Sequence, residues 1–185
     1  MAFKKLCILS LAFIFIAGCA VEPEKEHLVN YVNHDILSIA RIEMEAFERY
    51  AAVTGKNYTT DQAVYNTLKN EVIPVYRRFS QLLNRIHIED EEVARIHGLY
   101  LKGSKKILRG FELKLKGIAD KDEAVILLGN EKIDAGIRDT YKWRDQIAAL
   151  RDKRGLVSIN RKKSKLEILL HSLDEKVLEA GPASN

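Results

Sequence analysis

Beyond residue 19 the chain has no cysteine, because both of its cysteines, Cys7 and Cys19, fall within the first nineteen of 185 residues. The remainder can therefore form no disulfide, ligate no metal through cysteine, attach no haem covalently and perform no thiol catalysis. Proline is also scarce, occurring at positions 23, 74 and 182 alone. The alternation of β-branched with polar residues that marks half-buried strands is missing, which leaves an all-α reading. No apolar run is long enough to span a bilayer: the longest, Leu6 to Ala20, counts 15 residues and includes Ser10, against the ~20 a transmembrane helix needs. Nor is there a large excess of one charge, with 30 Lys and Arg facing 26 Asp and Glu, a balance that argues neither for nor against a polyanionic partner; nucleic acid is not an expected one. A Gly-rich phosphate loop, a Gly-x-Ser-x-Gly elbow and a His-Glu-x-x-His zinc motif are all missing, which removes the usual short signatures of an enzyme.

What is present begins at the N-terminus. The basic pair Lys4-Lys5 precedes the apolar run, and Ile16-Ala17-Gly18-Cys19 closes it. Charged start, apolar middle, small residues and cysteine, in that order, resemble the cleavage box of bacterial lipoprotein precursors. The resemblance implies that residues 1–18 are a signal peptide, that Cys19 becomes the first residue, and that its thiol carries diacylglycerol and further acyl chains such as palmitate. Two or three chains hold a protein to one leaflet, whereas a single chain binds marginally. Removing 18 residues takes away Lys4 and Lys5 and no acid, leaving 167 residues with 28 basic and 26 acidic side chains, a balance of +2. That length suits one domain with its own core. In the enteric lipoproteins that the box resembles, Asp directly after the cysteine retains the protein at the inner membrane. Ala20 stands there, so in a host with two membranes the resemblance implies the outer membrane, facing the periplasm or the cell surface.

Residues 19–24 read as the acylated cysteine and a short tether around Pro23, with Ala20 to Glu24 spanning at most ~17 Å. Residues 25–155 then read as four amphipathic helices. The first carries Val29, Val32, Ile36, Ile39, Ala46, Phe47 and Tyr50 at helical spacing and is stopped by Gly55. Thr59-x-x-Gln62 reads as the capping box of the second, whose stripe is Leu68, Val72, Val75, Phe79, Leu82 and Ile86. Pro74 should kink this helix near Ile73, with the stripe continuing in phase. The third runs from Asp90 to about Ile118 with Val93, Ile96, Tyr100, Ile107, Phe111 and Ile118 inward. Asp120-x-x-Glu123 should cap the fourth, which carries Ile126, Ile133, Ile137, Arg144, Ile147 and Leu150 and is stopped by Gly155. Helices of ~30 residues, ~45 Å long, joined by short loops predict an antiparallel up-down four-helix bundle.

Gly103, Gly110 and Gly117 recur every seven residues on the third helix, as do Gly129 and Gly136 on the fourth. A mid-helix glycine costs ~1 kcal/mol against alanine. Five of them predict close backbone approach of these two helices, with Gly103 near Trp143.

Candidates for chemistry are few. His27, His34, His87, His97 and His171 make no metal pattern, since only Glu24-x-x-His27 has the di-iron spacing. Met44, the sole methionine after Met1, reads as core filling in preference to an axial haem ligand. The acidic run Glu89 to Glu92 reads as a helix cap favoured by the helix dipole in preference to a cation site. The aromatic row Tyr76, Phe79, Tyr100, Phe111, Tyr141 and Trp143 reads as core, and Asn130 as an inward amide that fixes helix register. No cofactor is expected. Glu71 to Tyr76 and Leu99 to Gly103 are also similar to segments of small helical bacterial lipoproteins, a likeness that implies a bundle and no catalytic residue.

Residues 156–185 read as a basic amphipathic helix and tail. Leu166, Leu169, Leu170, Leu173 and Val177 form an apolar stripe. It is preceded by seven basic residues, Arg151, Lys153, Arg154, Arg161, Lys162, Lys163 and Lys165, with one acid, Asp152. Either the helix docks on the bundle or Arg161, Lys162, Lys163 and Lys165 contact an anionic surface or partner. The expected function is a membrane-anchored, non-catalytic interaction or structural module of the cell envelope with an envelope protein as partner. The alternative is a periplasmic bundle that binds a small ligand, a metal or haem, with an enzyme ranked last.

Overall fold

A computed structural model describes residues 22–156, and among them every regular element is helical. None of these helices is long and apolar enough to cross a membrane. The first rod consists of α1 (Pro23–Asn30), a π-helical turn (Tyr31–Ile36) and α2 (Leu37–Ala51). Pro23 sits in the first turn of α1, where its missing N–H leaves no bond unmade, so Pro23 and Glu24 belong to the helix and not to a tether.

The π-turn corrects the expected stripe. Leu28, Tyr31, Ile36 and Ile39 are buried, while Val29 is 37 % exposed. The step of five from Tyr31 to Ile36 does not fit an α-helix. It fits a turn in which the N–H of Leu37 bonds to the Val32 carbonyl five residues back. At its far end α2 is stopped by side chains instead of Gly55. Thr54 Oγ1 donates to the Tyr50 carbonyl (2.8 Å) and Asn57 Nδ2 to the Ala51 carbonyl (2.9 Å). Gly55, with φ of 55°, opens the short 3-10 turn Gly55–Asn57.

The second rod consists of α3 (Asp61–Thr67), a second π-turn (Leu68–Val72) and α4 (Ile73–Leu83). Its cap is Thr60 and not Thr59: the Thr60 hydroxyl accepts from the Ala63 N–H (3.1 Å), while Gln62 donates to Asn66. Pro74 does not break the rod. The chain reaches it through the widened turn, where the N–H of Ile73 bonds to the Leu68 carbonyl. That adds one residue to the stripe, so the inward set becomes Val64, Leu68, Val72, Ile73, Tyr76, Phe79 and Leu83, and Val75 and Leu82 are only partly buried.

The long helices α5 (Glu91–Asp120) and α6 (Glu123–Lys153) form a hairpin. Asp90 caps α5, its Oδ1 accepting from the Val93 N–H (3.0 Å), with Glu91 and Glu92 in the first turn. The acidic run is thus a cap. The next cap is Asp122 and not Asp120, which is the last residue of α5; Asp122 accepts from the Val125 N–H (3.2 Å). Between them Lys121 adopts the left-handed conformation (φ 56°) and the Asp122 N–H returns to the Gly117 carbonyl (2.8 Å). Gly155 closes α6 as expected, with φ of 65° and the Leu156 N–H bonded to the Arg151 carbonyl.

The glycine rows meet as their spacing predicts. A Cβ at Gly103 would lie 2.8 Å from the Gly136 carbonyl oxygen, and one at Gly110 would lie 2.7 Å from that of Gly129. At Gly117 it would lie 2.7 Å from the Ile126 nitrogen. These pairs run in opposite directions along the two helices. Thr140, not Trp143, faces Gly103, because Trp143 stacks on Tyr100 one turn earlier (4.2 Å between ring centroids, 25° apart). Trp143 is fully buried where the periodicity favoured Arg144, which is partly exposed.

The rods share one core. Edge-to-face rings link α2 to α4 through Phe47 and Tyr76 (5.8 Å), and link both to α5 through Phe111. At one end Arg154 ties three segments together. Its Nη1 lies 2.7 Å from Asp90 Oδ2 and donates to the Glu24 carbonyl (2.6 Å), and its Nη2 lies 3.6 Å from Glu92.

Candidate functional site

Among the buried ionisable side chains, Glu43 and Lys114 interrupt the apolar core at positions that complete an apolar stripe. Glu43 follows Ile36 and Ile39 on α2 and is 1 % exposed. Tyr76 OH donates to one of its carboxylate oxygens (3.2 Å) and Tyr100 OH donates to the other. No cation pairs with it among the described residues. Burial pushes its carboxyl up to about 7, against the opposing pull of the Tyr100 and Tyr76 hydrogen bonds. Both tyrosines are in turn held well above their ordinary range, by burial first and then by the charge of Glu43. Enclosed by rings, Glu43 meets no solvent-borne ligand. It can hold or release a proton.

Nearby, Trp143 Nε1 donates to Tyr31 OH (2.9 Å). An indole nitrogen can only donate, so the Tyr31 oxygen accepts there, and the same hydroxyl shares a hydrogen bond with His97 Nδ1 (3.0 Å). Burial lowers the pKa of His97, and a hydrogen bond to the Leu83 carbonyl opposes that shift.

The second charged centre opens toward solvent. Lys114 on α5 is 3 % exposed, follows Phe111 on the inward face, and donates from Nζ to Tyr50 OH (2.8 Å) and Asn130 Oδ1 (3.0 Å). Burial lowers its pKa to about 8, opposed by the more distant charges of Asp134 and Asp61. Among the described residues no carboxylate forms an ion pair with it. Asn130 is half-buried, serves Lys114, and lines a groove of about 1060 Å³ beside the α5–α6 turn. Tyr58, Ile126 and Leu127 give that groove apolar walls, and Asp61, Lys121 and Glu123 sit on its rim. Tyr58 and Leu127 are 47 % and 52 % exposed.

The residues singled out from sequence are distributed differently. The segment read as a signal peptide, Cys19, His171, and the C-terminal stripe with Arg161, Lys162, Lys163 and Lys165 lie outside the described residues. Of the seven basic residues before that stripe, three are engaged within the described fold. Arg151 contacts Asp152 (3.0 Å), Lys153 contacts Glu92 (3.2 Å), and Arg154 is in the junction with Asp90. Met44 packs against the core. His27 lies 3.6 Å from Glu89. Among the described residues no group of three or more His, Asp or Glu is placed to hold a metal ion. Sequence reasoning missed Glu43 and Lys114, and the signal that finds them is the gap each one fills in an otherwise apolar stripe. Compared with known proteins, the chain matches no family model, no curated protein and no solved structure.

Proposed function

We propose that this chain is a lipid-anchored, non-catalytic module of the bacterial cell envelope: an up-down four-helix bundle, followed by a basic amphipathic helix, held to one leaflet through Cys19 and presenting its free end to an envelope protein. The observation that carries the reading is the Ile16-Ala17-Gly18-Cys19 box behind Lys4-Lys5 and the apolar run. The internal packing supports the non-catalytic part, since Glu43, His97 and the buried tyrosines bond to one another and not toward a cleft. The antiparallel glycine seam of α5 and α6 supports the bundle.

The arrangement also has a direction. Residue 22 enters α1 at the end where Arg154 binds Asp90 and the Glu24 carbonyl. The groove lies at the other end of α5, a helix of 30 residues, or ~45 Å. An anchor at Cys19 would hold the groove that far from the lipid.

The test is a Cys19→Ala substitution in cells fed a labelled fatty acid. Label should enter the unaltered chain and not the variant, and the variant should remain unprocessed. If the variant instead fractionates with membranes as a shortened mature form, the lipoprotein reading fails. Crosslinking of the native protein in intact envelopes would then identify the partner.

A further inference from the structure

We propose that the groove beside the α5–α6 turn binds a small mono-anionic amphiphile, a carboxylate on an apolar chain, with its head received at the Asn130 amide above the Lys114 ammonium. The inference does not depend on lipid attachment at Cys19. It starts from a buried ammonium with no carboxylate in contact, Asp61 and Asp134 acting on it only from a distance. Buried cations in folded proteins are ordinarily paired with an anion. Lys114, 3 % exposed, has a phenol and an amide as its hydrogen-bond partners and no ion-paired carboxylate among the described residues.

The amide gives this centre a route to the groove. An ammonium can only donate, so the Asn130 atom that faces it must be the oxygen, and the Nδ2 donors are turned away from Lys114. Asn130 is a lining residue of the groove. A carboxylate seated there would accept from Nδ2 and place a negative charge across the amide from Nζ. The walls suit the rest of such a molecule, since Tyr58 and Leu127 leave large apolar surfaces in water and Ile126 adjoins them. A volume near 1060 Å³ is ample for a medium-length chain.

The rim sets the charge of the guest. Asp61 and Glu123 balance Lys121 and Lys114, so the groove by itself is close to neutral. One negative charge is accommodated, whereas a second meets two carboxylates. This selects a carboxylate over a phosphate monoester dianion and over an amine, for which the buried ammonium is repulsive.

The experiment titrates the purified full-length chain with octanoate labelled at its carboxyl carbon, read by NMR, alongside 1-octanol, octyl phosphate and octylamine. Octanoate should bind saturably and at least tenfold more tightly than the other three. Lys114→Met should abolish that preference while leaving the weak binding of octanol unchanged. Asn130→Leu, at a half-buried position, is the companion variant should Lys114→Met misfold, and near-UV circular dichroism of the Trp143–Tyr100 stack reports folding in both. A pH series adds a readout that loss of packing alone does not move. Lys114 is faced by Tyr50 from α2, Asp61 from α3 and Asn130 and Asp134 from α6, so octanoate affinity should fall as pH rises past about 8. The proposal is overturned if octanoate fails to bind saturably, if octanol or octyl phosphate binds as tightly, or if a folded variant keeps the preference.

Discussion

The α5–α6 hairpin and the two rods before it solve the same packing problem with opposite means. In the hairpin, side chains are removed at the contact: glycines at seven-residue intervals bring carbonyl oxygens to within 2.6–2.9 Å of where a Cβ would stand. In α1 to α4, large side chains are crowded in, and the helices change their own winding at Tyr31–Ile36 and Leu68–Val72 to keep those side chains inward. A backbone seam tolerates no added atom. An aromatic core can accept a carboxylate, provided hydroxyls meet it, as Tyr76 and Tyr100 meet Glu43.

The sharpest way to break the comparison is Gly110→Leu. The new side chain would begin 2.6 Å from Ile133 Cγ1 and 2.8 Å from the Ile133 nitrogen, contacts that no rotamer relieves. Overpacking of this kind costs about 1–3 kcal/mol and occasionally more. The upper part of that range is expected, visible as a large drop in thermal midpoint. An unchanged midpoint would show that the seam gives way.

A subtler effect is expected from Glu43→Gln. The Glu43 carboxyl is raised from 4.5 to about 7 in the fold. The folded state therefore binds its proton more tightly than the unfolded chain, and the stabilisation is complete below about 4.5 and is lost as pH rises through about 7. At ~1.4 kcal/mol for each tenfold gain in proton affinity, the loss is of order 3 kcal/mol. The amide of the variant carries no such proton, so the difference in unfolding free energy between the two proteins should change by this order between pH 4.5 and 7, moving in favour of the variant. His97, whose lowered pKa gives a dependence of opposite sign, is common to both and cancels. A difference that stays flat across the window would show that Glu43 is not buried as described.

The smallest effect is a control on the seam. Gly98 lies on the exposed side of α5, where a Cβ would have nothing within 4 Å. Gly98→Ala should stabilise by ~1 kcal/mol, the ordinary helix-propensity difference, read by chemical denaturation. The same helix would then reward a methyl group at one glycine and reject a larger side chain at another.

How much of this was legible follows from the same contrast. A row of glycines at a period of seven is a local pattern, and so is an aspartate two residues before the end of an acidic run; both the seam and the Asp90 cap could be read directly. The π-turns could not, because each arises from the side chains that must face the core and inserts one residue within an otherwise continuous helical pattern. Pro74 marks the second turn, and nothing in the sequence marks the first. Caps were misplaced by one or two residues at Thr60 and Asp122, where neighbouring Thr and Asp residues offer equivalent oxygens and only the backbone decides between them. Glu43 and Lys114 were overlooked because an isolated charge on a helix ordinarily faces water. Their positions in the stripes, after Ile39 and after Phe111, were the available clue. The polar partners that make their burial tolerable come from other helices, at Tyr76, Tyr100, Tyr50 and Asn130.

The Arg154 junction has a mechanical consequence. Tension applied to the chain at residue 22 would arrive first at the opening turn of α1, where a lone helix would unwind from its end. Here the Glu24 carbonyl is gripped by the guanidinium that also binds Asp90 at the start of α5, while Arg154 itself is the residue that ends α6. The load is thereby divided among three helices whose junction residues lie more than sixty positions apart in sequence, and peeling α1 from its end requires breaking the Arg154 hydrogen bond to the Glu24 carbonyl, from a guanidinium that Asp90 holds in place, before the first helical turn can open.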